Sequence, residues 1–511
     1  MKYPRLPLLA GVSLALAAFA TLGCSTTFTP RPCAVDADCG DGFACVPQGA
    51  ALACAAAADA PLRIGMSAAL SGPSQALGAG MQLGVTLAFD AQNAAGGVRG
   101  RPLELDVLDD AYEPALAEQN TLALLDAQQG SGEVRCPTTN DSVVAGQAPV
   151  SATPLVRGPG AVLAMLGNVG TPTMVLSAPI ALETQTLFFG AFTGATPILR
   201  DTSAGPCHAY VFNVRASYAE EALAALEYFF DLDVPDAAHL MSFDQDDSFG
   251  QSGYSGLVAA YTSLRGSFSP PPADPETPIP RFRYTRDDVS SVPAAVTSAA
   301  QYLGSLLDAD DLDHTVGVLM TDTYGPATTF ITQLRQWQYA SDTEQMANHK
   351  ATRLTLSFVN VSFVGPNALA ENLSAAGTLA GPSGQVPYTD GVVVSQVVPN
   401  YGSDQSALVQ AYNQAIAGSG QAAGFTSLEG YAAARIFVTG LVAHQGSFTP
   451  EALVGTFEQL QGAGLELGPE SGYGAGDHDY SKSVWGTSLD ASAGFQNRYF
   501  WTEGTSLSLF E

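Results

Sequence analysis

Residues 62–110 read LRIGMSAALSGPSQALGAGMQLGVTLAFDAQNAAGGVRGRPLELDVLDD. The apolar run 62–66 has the length of a short strand, and Ser71, Gly72 and Pro73 end it in exposed loop backbone. Leu83, Leu87, Ala88 and Ala91 then recur at helical spacing, until Asn93 and Gly96-Gly97 stop the helix. Leu103, Leu105 and Val107 alternate with Glu104 and Asp106, which predicts a second strand ending at Asp109-Asp110. This is a βαβ unit. In such units ligands gather where loops leave the strand ends, so a small-molecule site in an α/β protein is expected.

The same alternation continues along the chain. Helix is expected over 114–125, strand over 162–166, and a loop into helix across GNVGTPTMVLSAPIA from Gly167. Strands follow at 187–189 and 210–214, a helix at 218–230, and a strand at 239–243 that opens into DQDDSFG. A strand at 316–320 leads through TDTYG to a helix at 327–336. A strand at 391–398 and helices near 408–416, 428–444 and 450–460 complete the pattern. The 450 residues from Leu62 onward are too many for one core and suit two lobes. Two segments read as insertions at the surface. One is 128–159, polar and carrying Cys136. The other is 266–280, whose SPPPADPETPIP run excludes helix and central strand and is expected to be mobile.

The ordered words SGP, NAAGGVRGRPLEL, LGNVGTPT (166–173), FTGAT (192–196), NVRASYAEE (213–221), DDSFGQSG (246–253), TSLEGYAAAR (426–435) and SVWGTSLD (483–490) resemble the leucine/isoleucine/valine-binding family of type I periplasmic solute-binding proteins. The resemblance runs over nearly all of 62–490. It implies two doubly wound, Rossmann-like α/β lobes joined by three crossings, with the ligand in the cleft between them. It places residues 62–216 and 401–483 in an N-terminal lobe, and 217–400 and 484–511 in a C-terminal lobe. It also implies a monomer that binds a small amino-acid-like or carboxylate-bearing metabolite without a cofactor and delivers it to an ABC permease.

Loop N–H groups and helix N-termini suit a carboxylate without needing a cationic side chain. Gly167–Thr173 offers both, with Thr171 and Thr173 at a helix start, where threonine also serves simply as an N-cap. By resemblance Thr171 stands where amino-acid binders grip the ligand carboxylate with a serine. By the same resemblance Ala191, Thr193 and Gly194 lie in the next strand-end loop, where the family offers backbone and hydroxyl contacts, and Ser71 and Leu77 lie in the first, where it makes a side-chain contact. From the facing lobe, Phe249 stands where a tyrosine often packs on the ligand, and Tyr324 matches another aromatic, with Asp322 beside it. Amino-acid binders place a glutamate for the ligand ammonium near 358–363. Here SFVNVSFVGP has no acid between Thr352 and Ala370, and Ser362 is nearest that position. A buried ammonium without a carboxylate is costly, so the ligand is expected to lack one unless Asp322 serves it.

Lys2, Arg5 and the apolar run 8–22 before Gly23-Cys24 read as an export signal over 1–23. Thr21-Leu22-Gly23-Cys24 resembles a bacterial lipobox, with Cys24 as the lipid-modified first residue of an envelope lipoprotein. The rival readings are an ordinary signal peptide or an uncleaved anchor. Loss of Lys2 and Arg5 would take the 20 basic residues to 18 against 49 acidic, a formal charge of −31. Phosphate binding needs clustered Lys and Arg, so nucleic acid is excluded as a partner.

Cys33, Cys39, Cys45 and Cys54 fall in the Gly-, Pro- and Asp-rich tether 24–60 and predict two disulfides of open connectivity. Cys136 and Cys207 remain as a third pair. No metal site is expected. Asp244, Asp246 and Asp247 lack the further oxygen ligands of a calcium loop and read as a solvated turn. The histidines are scattered, and His478 in GDHDYS reads as a surface-loop residue. GxSxG, HExxH, GxGxxG and a phosphate loop are all absent, so no enzyme is expected. A ligand sensor for a receptor, or an envelope lipoprotein that has lost its ligand, are the alternative functions.

Overall fold

The computed structural model describes residues 31–33, 38–48, 51–136, 154–196, 199–200, 207–268, 272, 274–340, 350–381, 384–462 and 464–510. The export signal and Cys24 lie outside the described residues, as do 137–153 of the first insertion and 269–271 and 273 of the second. No helix among the described residues is long and apolar enough to cross a membrane.

Among the described residues, the first lobe is built on five parallel strands ordered Leu103–Asp109, Leu62–Ala68, Ala164–Leu166, Leu187–Phe189, Val211–Phe212. The second lobe starts with the same winding: Arg281–Tyr284, Leu240–Gln245, His314–Thr321, Leu354–Asn360 and Val392–Gln396 are parallel. Three antiparallel strands extend it: Ser483–Leu489, Phe495–Thr502 and Ser508–Leu509. The central strands are buried almost end to end, as parallel strands covered on both faces are.

The helices that cover these sheets have local causes. Ser217 and Glu220 form a reciprocal capping box at the start of Tyr218–Asp231. Asp247 caps Ser248–Arg265, and Gly266, at φ +78°, ends it. Helix Phe425–Ala443 returns to the first lobe and packs on Gln75–Ala94. Their backbones approach so closely that a Cβ at Gly84 would lie 2.0 Å from the Ser427 carbonyl oxygen, so only glycine fits. The strand after the next helix, Ser483–Leu489, belongs to the second sheet.

In the tether, strands Phe43–Gln48 and Ala51–Ala56 pair antiparallel and are tied by Cys33–Cys45 and Cys39–Cys54. Arg101 holds the tether to the first lobe, its Nε donating to the Ala60 carbonyl at 2.6 Å. Cys136 bonds Cys207, as parity implies. Non-reducing peptide mapping should recover these three pairs. Breaking the last, whose partners are 71 residues apart, should cost about 2–4 kcal/mol in denaturant unfolding.

Three readings are corrected. Asp244 is not in a solvated turn: it lies within strand Leu240–Gln245, fully buried, and Arg281 grips both its oxygens at 2.6–3.0 Å. Only Asp246 is exposed, since Asp247 serves as the helix cap. His478 is not a surface-loop residue. Its ring stacks on Phe212 with centroids 4.1 Å apart, and its Nδ1 lies 2.7 Å from the Val211 carbonyl oxygen. Nor are all the histidines scattered, because His239 and His314 meet at 3.0 Å, flanked by Asp236 and Asp310.

Candidate functional site

The C-terminal ends of both sheets face each other, and the lobes touch there. Ser74 donates to Asp287 at 2.9 Å, Arg286 pairs with Glu113 at 3.0 Å, and the Tyr324 hydroxyl donates to the Pro73 carbonyl. A Cβ at Gly365 would lie 2.9 Å from Leu77 and 3.0 Å from Tyr324, which places Leu77 and Tyr324 together at this rim. Ser71 is exposed nearby and bonds the Asp109 carboxylate.

The middle of the cleft is aromatic. Phe363, from the turn after strand Leu354–Asn360, is fully buried against Phe192 (4.9 Å between centroids), Phe249 (4.8 Å) and Tyr112 (6.0 Å). Phe249 also packs on Tyr218 at 5.4 Å. Phe249, Val361 and Phe363 are thus part of the first lobe's apolar core, although their strands and helices belong to the second.

Beside this aromatic group stands a polar wall. Thr171 opens helix Thr171–Glu183 but does not cap it, since Gly170 holds the cap position. Its hydroxyl meets that of Thr193 at 2.7 Å, both residues being buried, and Thr193 in turn reaches the Tyr218 hydroxyl at 3.4 Å. The Gly194 carbonyl accepts from the Tyr218 amide at 2.8 Å, and a Cβ there would meet the Tyr218 ring at 2.6 Å. Ala191, buried in the same loop, accepts from the Thr193 amide. Thr171, Ala191, Thr193, Gly194 and Phe249 are therefore brought together. Ser71, Leu77 and Tyr324 lie at the rim.

Asp322 is buried completely, and among the described residues neither carboxylate oxygen has a hydrogen-bond partner; both ends of the Asn360 amide on the adjacent strand are in the same condition. Burial, with Asp244 nearby, pushes the Asp322 carboxyl well above the usual carboxylate range.

The sequence reading missed the charged cluster at Ser362. Arg215, in the segment leading out of the first sheet, is buried with 1% of its side chain exposed. Its Nη2 donates to Glu221 at 2.6 Å and to the Ser362 hydroxyl, and its Nη1 donates to Glu429 at 3.3 Å. Ser362 fixes Glu221 further through its amide at 2.7 Å and its hydroxyl at 3.0 Å. An acid does reach Ser362, therefore, but from helix Tyr218–Asp231 and already paired. The available signal was Glu429, a charge inside a helix apolar on nearly every face, since such a charge requires a partner.

Burial pushes the Glu429 carboxyl up to about 7, against the attraction of Arg215. A carboxyl raised on folding holds its proton more tightly in the folded chain. Its contribution is therefore complete below the unfolded value of 4.5 and is lost as pH rises through about 7. Glu429→Gln should remove a fall on the order of 3 kcal/mol between these limits, read by urea unfolding across the pH series. A slope unchanged by the substitution would contradict it.

A cavity of about 550 Å³ lies elsewhere, between tether and first lobe, lined by residues including Gly40, Phe43, Arg99 and Arg101. It adjoins the N-terminal ends of the strands, away from the cleft.

This geometry agrees with the comparisons. A family model described as periplasmic binding protein matches residues 61–148 and 151–494. A possible leucine/isoleucine/valine-binding protein from Rhodopirellula baltica SH 1 is 30% identical, with 86% of this chain and 97% of that one covered and a TM-score of 0.64. A solute-binding protein from R. palustris, solved with benzoate, is 16% identical, with 88% and 98% covered and a TM-score of 0.59. A branched-chain amino acid transporter component from Thermus thermophilus, solved with valine, is 13% identical, with 88% and 97% covered and a TM-score of 0.58. No curated protein sequence matches the chain. Two doubly wound sheets facing across a cleft, and a family match over most of the sequence, lead to one conclusion: the chain belongs to the periplasmic binding protein family of solute-binding proteins.

Proposed function

We propose that the protein binds a small metabolite with a carboxylate and an apolar or aromatic body in the interlobe cleft and delivers it to an ABC permease. The observation that carries this reading is the buried Thr171–Thr193 hydroxyl pair at a helix start, directly beside Phe192, Phe249 and Phe363. The hydroxyls and the helix N-terminus suit the carboxylate, and the rings suit the body. The Rhodopirellula relative bears the name of an amino-acid binder and the R. palustris neighbour holds benzoate, an aromatic carboxylate with no ammonium; the second chemistry suits this cleft better. Lobes 62–216 with 401–483, and 217–400 with 484–511, close on the ligand, which must bind the closed form better to shift the population. A lipid on Cys24 holds the monomer at a membrane of the envelope.

The test is a screen of small metabolites for thermal stabilisation, where ligand at a hundred times its dissociation constant adds roughly 2.7 kcal/mol. Small-angle scattering should then show compaction with a hit, and an unchanged radius would contradict closure. Thr171→Ala should weaken a carboxylate hit by roughly 10- to 100-fold, the loss of one hydrogen bond to a charged group. Unchanged affinity would move the carboxylate elsewhere.

A further inference from the structure

Arg215, Glu221, Ser362 and Glu429 form a complete ionic site with no solvent access of its own. Glu221 comes from helix Tyr218–Asp231, Glu429 from helix Phe425–Ala443, and Ser362 from the turn that also carries Phe363. Two carboxylates converge here, and buried carboxylates without a cation are strongly disfavoured. The cation is supplied by the chain. The Arg215 guanidinium spends Nη1 on Glu429, Nη2 on Glu221 and Ser362, and Nε on the Ala216 carbonyl. Its carbon lies 5.5 Å from the centroids of both the Phe192 and the Tyr218 rings. Those rings are neighbours of Phe363 and Thr193 respectively, so the ionic site abuts both the aromatic and the hydroxyl walls of the cleft.

We propose that Arg215 is a specificity-determining residue: its guanidinium fills an acidic subsite of the cleft, so that the protein selects ligands carrying no cation of their own. The inference rests on the reading of the cleft as the ligand site and deepens it. A ligand ammonium directed at Glu221 would meet a guanidinium already there, with like-charge repulsion in a low-dielectric setting, and a carboxylate that already accepts from the Ser362 amide and hydroxyl. An anionic ligand whose apolar body lies along Phe192 and Phe363 meets no such penalty. Removing the guanidinium would uncover a cavity shaped and charged for a small organic cation.

The double variant Arg215→Ala/Glu429→Gln removes one charge of each sign and leaves Glu221 to receive a cation. Methylguanidinium and methylammonium are the probes, with wild-type protein as the control, and thermal shift and calorimetry as the readouts. Both probes should bind the variant saturably and at least tenfold more tightly than wild type, and adding Glu221→Gln should abolish the gain. Leucine should gain at least tenfold as well. If the variant melts cooperatively yet answers the probes no better than wild type does, the proposal is overturned. If it does not fold alone, refolding from urea with and without methylguanidinium is the readout: recovery with the probe supports the filled subsite, and no recovery overturns it. Methylguanidinium binding without any gain for leucine would overturn the specificity role while leaving the carboxylate site at Thr171 and Thr193 standing. Loss of binding of 4-methyl-2-oxopentanoate, the keto acid of leucine, by Thr171→Ala is an independent readout of that site.

Discussion

Phe363→Ala should destabilise the protein by about 3–5 kcal/mol, as expected for a fully buried aromatic cut back to its Cβ. The position makes the effect more than a core defect. Phe363 belongs to the second lobe by chain and sheet, yet its ring is enclosed by Phe192 and Tyr112 of the first lobe together with Phe249 of its own. Truncation removes contacts that exist only while the lobes touch. Urea unfolding should report the loss in stability, and small-angle scattering at saturating ligand should report a larger radius for the variant than for wild type. A Phe363→Leu variant, which keeps most of the apolar volume, should lose less on both measures. Equal losses for Ala and Leu would mean that ring geometry rather than burial holds the lobes together.

Arg215→Met should cost about 3–5 kcal/mol, because it leaves Glu221 and Glu429 buried without their cation. Most of that penalty belongs to the orphaned carboxylates and not to the net worth of the ion pairs. Arg215→Met/Glu221→Gln/Glu429→Gln, which carries no charge in the cluster, should therefore regain much of the loss. The comparison of single and triple variants in urea unfolding at one pH decides the point. A triple variant no more stable than the single one would show that hydrogen bonds, rather than charge balance, dominate the cluster.

The opening βαβ unit was legible because each of its signals is local: an apolar run, a helical stripe and glycines at the stops. Most further elements of both lobes were legible for the same reason, to within a few residues at their ends. Strand Arg281–Tyr284 was not, since a proline-rich run leads into it and its sequence RFRY has charged residues at two of four places. Helix Val292–Ala309 carries an open stripe at Val292, Val296, Ala299, Leu303 and Leu307, but many of its other positions are alanine or small and dilute the contrast. The antiparallel extension Phe495–Thr502 hides its buried face among Gln, Asn and Arg.

The polar wall was legible in part. Thr171 and Thr193 each follow a strand in a glycine-bearing loop, and the fold brings the two loops together because their strands are neighbours in the sheet. The charged cluster was legible only as words. Arg215 and Glu221 lie in NVRASYAEE and Glu429 in TSLEGYAAAR, but the Arg215–Glu429 pair spans 214 residues, and no local pattern encodes such a meeting. The aspartates of DQDDSFG misled for a related reason. Asp244 is acidic and adjoins a turn, which suggests solvent, whereas its partner Arg281 arrives on the neighbouring strand.

The central claim is that the cleft accepts a carboxylate with an apolar body and refuses a zwitterion. Titration calorimetry of one protein preparation against leucine, 4-methyl-2-oxopentanoate and 2-hydroxy-4-methylpentanoate tests it most directly, because the three share the carboxylate and the body and differ only at the ammonium position. The keto and hydroxy acids should bind at least tenfold more tightly than leucine, since a missing charge-assisted partner forfeits roughly 1.5–3 kcal/mol, and Thr171→Ala should weaken both. Tight leucine binding that survives Thr171→Ala and collapses on Asp322→Ala would contradict the account, placing the ammonium on Asp322 and the carboxylate away from the threonine pair.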